Sequence, residues 1–388
     1  MKRFLSRLLK VCFVFFLCLL LIQYRNYFIQ LGNDVRPRQC PVCKTKSVST
    51  GHEKLEVEYN RPRKTSAVVI FTIKRSGSSF LGELFNQYPH IFYLFEPLSA
   101  FWEYPSQASR RKKALFDMAR CNFTDISDMY RKANNETGNN DIDAKCGSEN
   151  LCFAHRSRFL ARDTDLCDGG KCRGPYDPLV LSEICRRSLF PAMKIIFEPF
   201  LKSFQHLMED PHLNVKVIHL VRDPRAVIQS RKFLSALYHP EKTYVIQDES
   251  RRICQRHLQN LKFANCVQTF CDSNATFWKE KYLRLRYEDV SLRPLDAAKA
   301  VYDFVGLNFE PGVKTWIKKN TENSPKNSNP FSTSRNSSEA MSRWRKHLKF
   351  EEMLEIQEEC KEVMKILNYR EILNPEQALD ESFEAWRR

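Results

Sequence analysis

The sequence predicts an α/β fold: a mostly parallel sheet flanked by helices, with a cysteine-rich insertion and an N-terminal transmembrane helix. Three observations predict it. Short apolar, β-branched runs of strand length alternate with segments of helical periodicity along the 388 residues, the pattern of a parallel sheet covered on both faces. The alternation is interrupted over about residues 100–187 by a stretch rich in charge, Asn, Gly and Cys. Near the start, Lys2, Arg3, Arg7 and Lys10 precede an apolar run from Val11 to Ile22. The length gives room for one large domain and an appendage.

Residues 1–10 read as a cytosolic tail and 11–24 as a signal anchor. With Leu8 and Leu9 before it and Tyr24 behind, the apolar span reaches roughly 17 residues, the lower limit for a membrane helix. A cleaved signal peptide competes with this reading. No small-x-small cleavage site follows, however; the next residues are Gln23-Tyr24-Arg25-Asn26-Tyr27-Phe28. Positive charge in front puts the N-terminus in the cytosol and the body in a lumen. A short span also suits the thinner membranes early in the secretory route. Residues 25–65 have little periodicity and carry Pro37, Pro41, Gly51 and Pro62, the composition of a stem.

The body runs over 66–375 and a tail over 376–388. Its first strand is Val68 to Ile73, apolar enough for burial on both faces. Lys74, Arg75, Ser76, Gly77, Ser78 and Ser79 follow at once, and Phe80, Leu81, Leu84 and Phe85 then recur at helical spacing. A strand, a tight loop and a helix in this order aim backbone N–H groups and a helix N-terminus at an anion. The loop is P-loop-like in outline but is not a Walker A sequence, which has two glycines and a Gly-Lys-Ser/Thr ending. An ordinary serine-capped turn has the same outline. Ile91 to Phe95 is the second strand, followed by Glu96-Pro97. Pro97 is expected to hold Glu96 extended. Glu96 sits where open α/β sheets bind ligands, beyond a strand's carboxyl end; a solvated acid at a strand end is the plain alternative.

The insertion, with Cys121, Cys146, Cys152, Cys167, Cys172 and Cys185, reads as a disulfide-tied cover over the sheet and a place for ligand recognition. Ala192 to Phe197 and Val215 to Val221 are the third and fourth strands. Asp223-Pro224 starts a helix, because Asp caps and Pro fits the first turn. Arg222 is then the last strand residue, and Ser230 lies about two turns into the helix. His219 alternates with apolar residues and reads as a packed core histidine. Tyr282 to Tyr287 is the fifth strand, ending in Glu288-Asp289. Pro294 to Val305 and Glu351 to Leu367 are amphipathic helices, with a polar loop from Asn320 to Ser338 between them.

The net charge of +16 calls for an anionic partner. Nucleic acid is one such partner, though the basic residues are spread rather than clustered and nothing resembles a nucleic-acid-binding motif; a polyanionic glycan or a highly charged nucleotide fits as well, and a merely soluble basic surface is the plain alternative. Fourteen cysteines are many for a cytosolic enzyme. Cys40-Pro-Val-Cys43 lacks the second pair of a structural zinc site, and no Asp/Glu cluster suggests another metal. Disulfides in an oxidising compartment are the expectation. Sequons at Asn122, Asn135, Asn274 and Asn336 agree with a lumenal body bearing N-glycans.

The order Thr72-x-x-Arg75-Ser76-Gly77-Ser78-Ser79 resembles the 5′-phosphosulfate loop of sulfotransferases. Those enzymes use 3′-phosphoadenosine 5′-phosphosulfate (PAPS). Arg222 and Ser230, eight residues apart across a strand-to-helix junction, resemble the same family's 3′-phosphate site. An Arg fork suits a phosphate, and a helix hydroxyl adds a donor. Closer still is the wording Phe92-Tyr93-Leu94-Phe95-Glu96-Pro97, Leu220-Val221-Arg222-Asp223-Pro224-Arg225 and Arg286-Tyr287-Glu288-Asp289. It is similar to the Golgi galactose/N-acetylglucosamine/N-acetylgalactosamine 6-O-sulfotransferases, the carbohydrate sulfotransferase family. The resemblance covers roughly residues 66–369 and is weakest across the insertion.

That resemblance implies that 66–375 is a catalytic domain, and it implies roles. Thr72, Lys74 and Ser76 to Ser79 would hold the 5′-phosphosulfate, and Arg75 would touch the transferring sulfuryl group. Tyr287 would lie near adenine, unless it is a core aromatic. Ser334 and Arg335 would belong to a loop closing over the nucleotide. Lys194 matches the lysine of the Lys-Thr-His segment of cytosolic sulfotransferases, but Ile196 stands where their histidine base would be. Glu96 resembles instead the glutamate base of glycosaminoglycan sulfotransferases; Glu198, in a second Phe-Glu-Pro, is its rival. The implied reaction is in-line sulfuryl transfer to the 6-hydroxyl of Gal, GlcNAc or GalNAc in a glycan or glycosaminoglycan, without a metal, by a single-pass type II Golgi membrane protein. As in phosphoryl transfer, positioning and cations would carry most of the catalysis. A P-loop-like nucleotide kinase and a non-catalytic glycan-binding membrane protein are the rival readings. The missing Walker A sequence counts against the first, and the joint presence of Arg75, Glu96, Arg222 and Ser230 against the second. The sequence leaves room for an oligomer.

Overall fold

Five parallel strands make the central sheet, in the order β2-β5-β1-β6-β7. They are β1 (Ala67–Phe71), β2 (Ile91–Phe95), β5 (Phe190–Ile195), β6 (Val215–Val221) and β7 (Tyr282–Arg286). A two-residue antiparallel pair, β3 (Cys167–Asp168) and β4 (Lys171–Cys172), lies apart in the insertion. The structure is a computed structural model that describes residues 66–101, 108–127, 129, 156–162, 167–168, 171–172, 177–269, 275–321, 337–380 and 382–386. The tail, anchor and stem expected over 1–65 lie outside the described residues, as do Ser334, Arg335, Asn135, Asn274 and Asn336. Among the described residues no helix is long and apolar enough to cross a membrane.

The central strand β1 is wholly buried, each of its five residues at 0% exposure. A short run of Ala, Val, Ile and Phe suits that place because no side chain there needs water. Val69 stands in register between Met193 of β5 and Val217 of β6. The chain leaves β1 for β2 on one side, then crosses from β5 to β6 on the other. The order reverses at β1, and a doubly wound sheet opens its crevice beyond the carboxyl ends at such a point.

Helices cover both faces. On one side α1 (Ser78–Gln87) and α7 (Pro294–Val305) pack Leu81, Leu84, Phe85, Val301 and Tyr302 against Val68 and Ile70. On the other, α4 (Pro224–Tyr238), α5 (Ile246–Thr269) and α8 (Phe350–Ile366) share a core with Val227, Ile253, Leu261, Ile356 and Val363. A Cys254–Cys360 disulfide ties α5 to α8 across 106 residues of chain. In the insertion, α2 (Ala108–Ala119) and α3 (Pro178–Arg187) are linked through Cys121–Cys185. Each bridge removes freedom from the unfolded chain. A short helix, α6 (Tyr287–Leu292), follows β7.

Several boundaries differ from the sequence reading. β1 ends at Phe71 rather than Ile73, and the third strand is Phe190–Ile195 rather than Ala192 to Phe197. Arg222 lies one residue beyond its strand, because its guanidinium turns to the carbonyl of Arg75 instead of continuing the ladder. Tyr287 opens a helix instead of closing a strand; Glu288 and Asp289 then occupy a first turn, where acids suit the helix dipole. The 24-residue α5 escaped notice, since its buried Ile253, Cys254 and Leu261 are interleaved with charged and amide residues. His219 is the core histidine expected: it is 1% exposed, bonded through Nδ1 to Tyr282 Oη at 2.9 Å, and pushed well below its ordinary pKa by burial.

Candidate functional site

The loop after β1 makes the floor of the site. Thr72 is 1% exposed and gives its proton to the carbonyl of Leu220 at 2.6 Å, so its hydroxyl joins β1 to β6 and has no proton left for an anion. Arg75 and Gly77 both take positive φ, 78° and 90°. At Gly77 this is a requirement twice over. The backbone is left-handed, and a Cβ there would stand 2.3 Å from the ring of Tyr287. The N-terminus of α1 has no side-chain cap and no acidic residue in its first turn; Phe80 N–H turns back to the Gly77 carbonyl at 3.2 Å, and no side chain supplies an acceptor at the cap. The hydroxyl of Ser76 is also fully buried without a partner. Buried unpaired donors around a helix N-terminus are what an anion supplies with acceptors.

The turn after β6 brings the second cluster against the first. Asp223 caps α4 through the N–H of Arg225 at 2.9 Å, which sets the turn. Arg222 then donates to the carbonyl of Arg75 at 2.9 Å and to that of Ala340 at 3.4 Å, and its guanidinium lies 4.2 Å over the Tyr287 ring. Its Nε is buried and unpaired. Ser230, two turns along α4, accepts from Arg75 Nε at 2.9 Å. Arg75, Arg222, Ser230, Gly77 and Tyr287 are therefore linked in one connected cluster. Arg75, expected beside the sulfuryl group, joins the loop to α4 through its Nε on Ser230. Arg231, next along α4, donates to the Lys74 carbonyl at 3.2 Å and pairs with Glu249 at 2.6 Å. The Lys74 ammonium stands 4.3 Å over Phe197.

Glu96 and Lys194 form the third cluster, at the ends of β2 and β5. Lys194 Nζ lies 2.6 Å from Glu96 Oε1 and 3.1 Å from Ser79 Oγ, so one ammonium joins the acid to the anion loop. Burial pulls the Lys194 pKa down and the Glu96 carboxylate opposes the fall. Glu96 is not extended as expected from Pro97. Its φ is 51°, with the N–H bonded to Lys194 O at 3.1 Å and the carbonyl taking Ser99 N–H at 3.0 Å. This tight turn swings the carboxylate onto Lys194. Such a conformation costs on the order of 1–3 kcal/mol and gathers at functional sites. Phe95 carries two cations, Lys194 at 4.1 Å and Arg156 of the insertion at 3.8 Å.

Glu198, the rival acid, is held in a buried network of its own. It is 3% exposed, paired with Arg111 at 2.8 Å, and accepts from Ser203 Oγ at 2.8 Å and Phe200 N–H at 3.3 Å. Asn122, the one sequon asparagine among the described residues, is half-buried, and its Oδ1 accepts from Thr124 Oγ1 at 2.6 Å. Sequence reading missed Arg156, which only the fold brings to Phe95, and Glu288, which reads as one more acid at a strand end. Among the described residues no group of three or more His, Cys, Asp or Glu could hold a metal ion.

A family model of the sulfotransferase domain matches residues 65–368. Carbohydrate sulfotransferase 3 of Mus musculus is 29% identical over 321 residues, covering 78% of this chain and 68% of that protein. Carbohydrate sulfotransferase 5 of Homo sapiens is 30% identical over 336 residues, 81% and 80% of the two chains. Carbohydrate sulfotransferase 4 of Mus musculus is 30% identical over 337 residues, 80% and 83%. With a matching domain over most of its length and these relatives, the chain belongs to the sulfotransferase family, among the carbohydrate sulfotransferases that transfer sulfuryl groups to sugars.

Proposed function

We propose that the protein transfers a sulfuryl group from PAPS to the 6-hydroxyl of a Gal, GlcNAc or GalNAc residue in a glycan or glycosaminoglycan. One observation carries the reading: a Glu96–Lys194–Ser79 relay at 2.6 and 3.1 Å stands on the same loop and helix N-terminus whose Arg75 carbonyl is held by Arg222. The residues fit PAPS. The buried, unpaired Ser76 Oγ and Arg222 Nε are donors without acceptors, and Gly77 allows close backbone approach. Ser76 to Ser79 and the α1 N-terminus would hold the 5′-phosphosulfate, and Arg222 with Ser230 the 3′-phosphate. Tyr287, half-buried beside Gly77 and Arg222, would meet the adenine side. Ser334 and Arg335, which lie outside the described residues, are assigned to the nucleotide site by the family resemblance alone.

PAPS supplies an activated sulfuryl group. Glu96 takes the proton of the sugar hydroxyl as its oxygen bonds to sulfur. The bond from sulfur to the 5′-phosphate oxygen breaks, and adenosine 3′,5′-bisphosphate leaves. Lys194 changes partner in step. While Glu96 is ionised the ammonium is neutralised by it; once Glu96 holds the proton, that charge is released toward the phosphosulfate loop through Ser79. The loop cations then face the negative charge that grows on the leaving oxygen. The motif wording at Phe92–Pro97 and Arg286–Asp289, with the carbohydrate sulfotransferase relatives, supports the acceptor class. A panel of keratan, chondroitin, mucin-type and N-linked acceptors with labelled PAPS, followed by disaccharide analysis, tests it. Label at the 6-position of Gal, GlcNAc or GalNAc is expected; label confined to another position or to no sugar overturns it.

The basic flank before Val11 and the disulfides Cys121–Cys185 and Cys254–Cys360 among the described residues support a type II Golgi membrane protein with a lumenal body. In sealed microsomes the body should resist added protease until detergent opens the membrane, and it should carry N-glycan on at least one of Asn122, Asn135, Asn274 and Asn336. Digestion without detergent reverses the orientation.

A further inference from the structure

We propose that Glu288 is the positioning residue of the 3′-phosphate clamp, its single buried carboxyl joining the turn that carries Arg222 to Tyr369 of the C-terminal segment. The inference rests on the reading of Arg222 and Ser230 as the 3′-phosphate site. Glu288 is 1% exposed. Its Oε1 accepts the N–H of Asp223 at 3.2 Å and its Oε2 meets the hydroxyl of Tyr369 at 2.6 Å. The residue before it, Tyr287, lies against Gly77 and under Arg222. The first two residues of α6 thus hold both nucleotide loops at once. Tyr287 touches their ligand-facing side and Glu288 fixes the turn from behind.

The carboxyl can carry a proton without releasing either neighbour. Ionised, it accepts from both. Protonated, Oε1 still accepts from Asp223 N–H, and the proton on Oε2 points to the Tyr369 oxygen, reversing that hydrogen bond. Burial, with the Asp223 carboxylate beside it, pushes Glu288 up to about 7, while Tyr369 and Arg222 work the other way. The remaining charged neighbours are already matched. Arg225 is paired with Asp223 at 2.7 Å, and Arg286 of β7 with Asp289 at 2.9 Å. On the helices packed against α6, Asp296, Lys299, Asp303 and Glu339 are exposed to solvent.

A 3′-phosphate dianion on Arg222 adds negative charge in front of Glu288. It occupies the cation that favours the ionised carboxyl and repels that form, so binding draws a proton from solvent onto Oε2. The sign follows. Affinity is highest where Glu288 is already protonated and falls as pH rises above about 7; a rise of about one pKa unit on binding is about a tenfold loss of affinity. The phosphate's own second ionisation, near about pH 6, is complete below this window and does not produce the trend. A carboxyl that only braces the fold has no reason to take up a proton on binding.

The test measures binding of adenosine 3′,5′-bisphosphate and 5′-AMP to the full chain between about pH 7 and about pH 9. Wild type should lose affinity for the bisphosphate across this range and not for 5′-AMP. Glu288→Gln, an uncharged mimic of the protonated acid, should bind the bisphosphate with a flat profile. Should that variant fail to fold, calorimetry of wild type in two buffers of different ionisation enthalpy decides alone. Proton uptake with the bisphosphate and none with 5′-AMP is expected; zero uptake or release overturns the assignment. Equal pH slopes in wild type and Glu288→Gln also overturn it. If Arg222→Ala weakens both nucleotides alike, the 3′-site reading has failed. If Arg222→Ala discriminates between them while the Glu288 slopes match, only the role of Glu288 has.

Discussion

Glu96→Gln is expected to lower kcat by about 10²–10⁴-fold, the usual scale for loss of a general base, while PAPS still binds and the protein still folds. The physical case is local. Glu96 is the carboxylate on Lys194, which in turn reaches Ser79 of the anion loop. Gln keeps an oxygen for the Lys194 ammonium and keeps the volume, so the turn at Glu96 has no cause to open. It cannot take a proton at neutral pH. Glu198→Gln should behave in the opposite way. It breaks a buried pair with Arg111, a change that costs stability on the order of 3–5 kcal/mol, yet it should leave turnover per folded molecule nearly intact. Near-normal kcat in Glu96→Gln, or loss of PAPS binding in step with activity, removes Glu96 from the role of base.

The second large effect is expected at Arg222. Arg222→Ala should weaken adenosine 3′,5′-bisphosphate by on the order of 2–5 kcal/mol, the scale for truncating one partner of a buried charged contact. Binding of 5′-AMP, which lacks the 3′-phosphate, should change much less. Arg222 also donates to the carbonyl of Arg75 and covers the Tyr287 ring, so some loss for 5′-AMP is expected through the shape of the loop. The difference between the nucleotides is the informative quantity. Equal losses move Arg222 out of the 3′ site; calorimetric titration of both nucleotides against both proteins reads it directly.

The strands were legible because a strand buried on both faces is a short run of mostly apolar residues; β1 and β2 are continuous runs of this kind, and β5 and β6 keep the pattern around Lys194, Lys216 and His219. Their ends were less legible. Whether Arg222 stays in the ladder depends on the distant carbonyl of Arg75, and no local pattern contains that partner. Glu96 shows the same limit: Pro97 favours an extended neighbour, yet the pull of Lys194 from the adjacent strand sets a left-handed turn. The anion loop and the Arg222–Ser230 spacing were readable, since each is a local strand-to-helix junction. Glu288 was not. In the chain it is one acid among others, and only the approach of Asp223 and Tyr369 makes it a buried group. Arg156 likewise comes from an insertion whose sequence says little about where it folds back.

The most direct test of the account is the fate of label from sulfur-labelled PAPS incubated with the purified full chain and a glycan acceptor, beside Glu96→Gln. Label should pass to the glycan with stoichiometric release of adenosine 3′,5′-bisphosphate, and the Glu96→Gln protein should bind PAPS without that transfer. Label that stays on PAPS in the wild-type reaction across every acceptor, while glycan binding persists, would contradict it and leave the fold as a binding module.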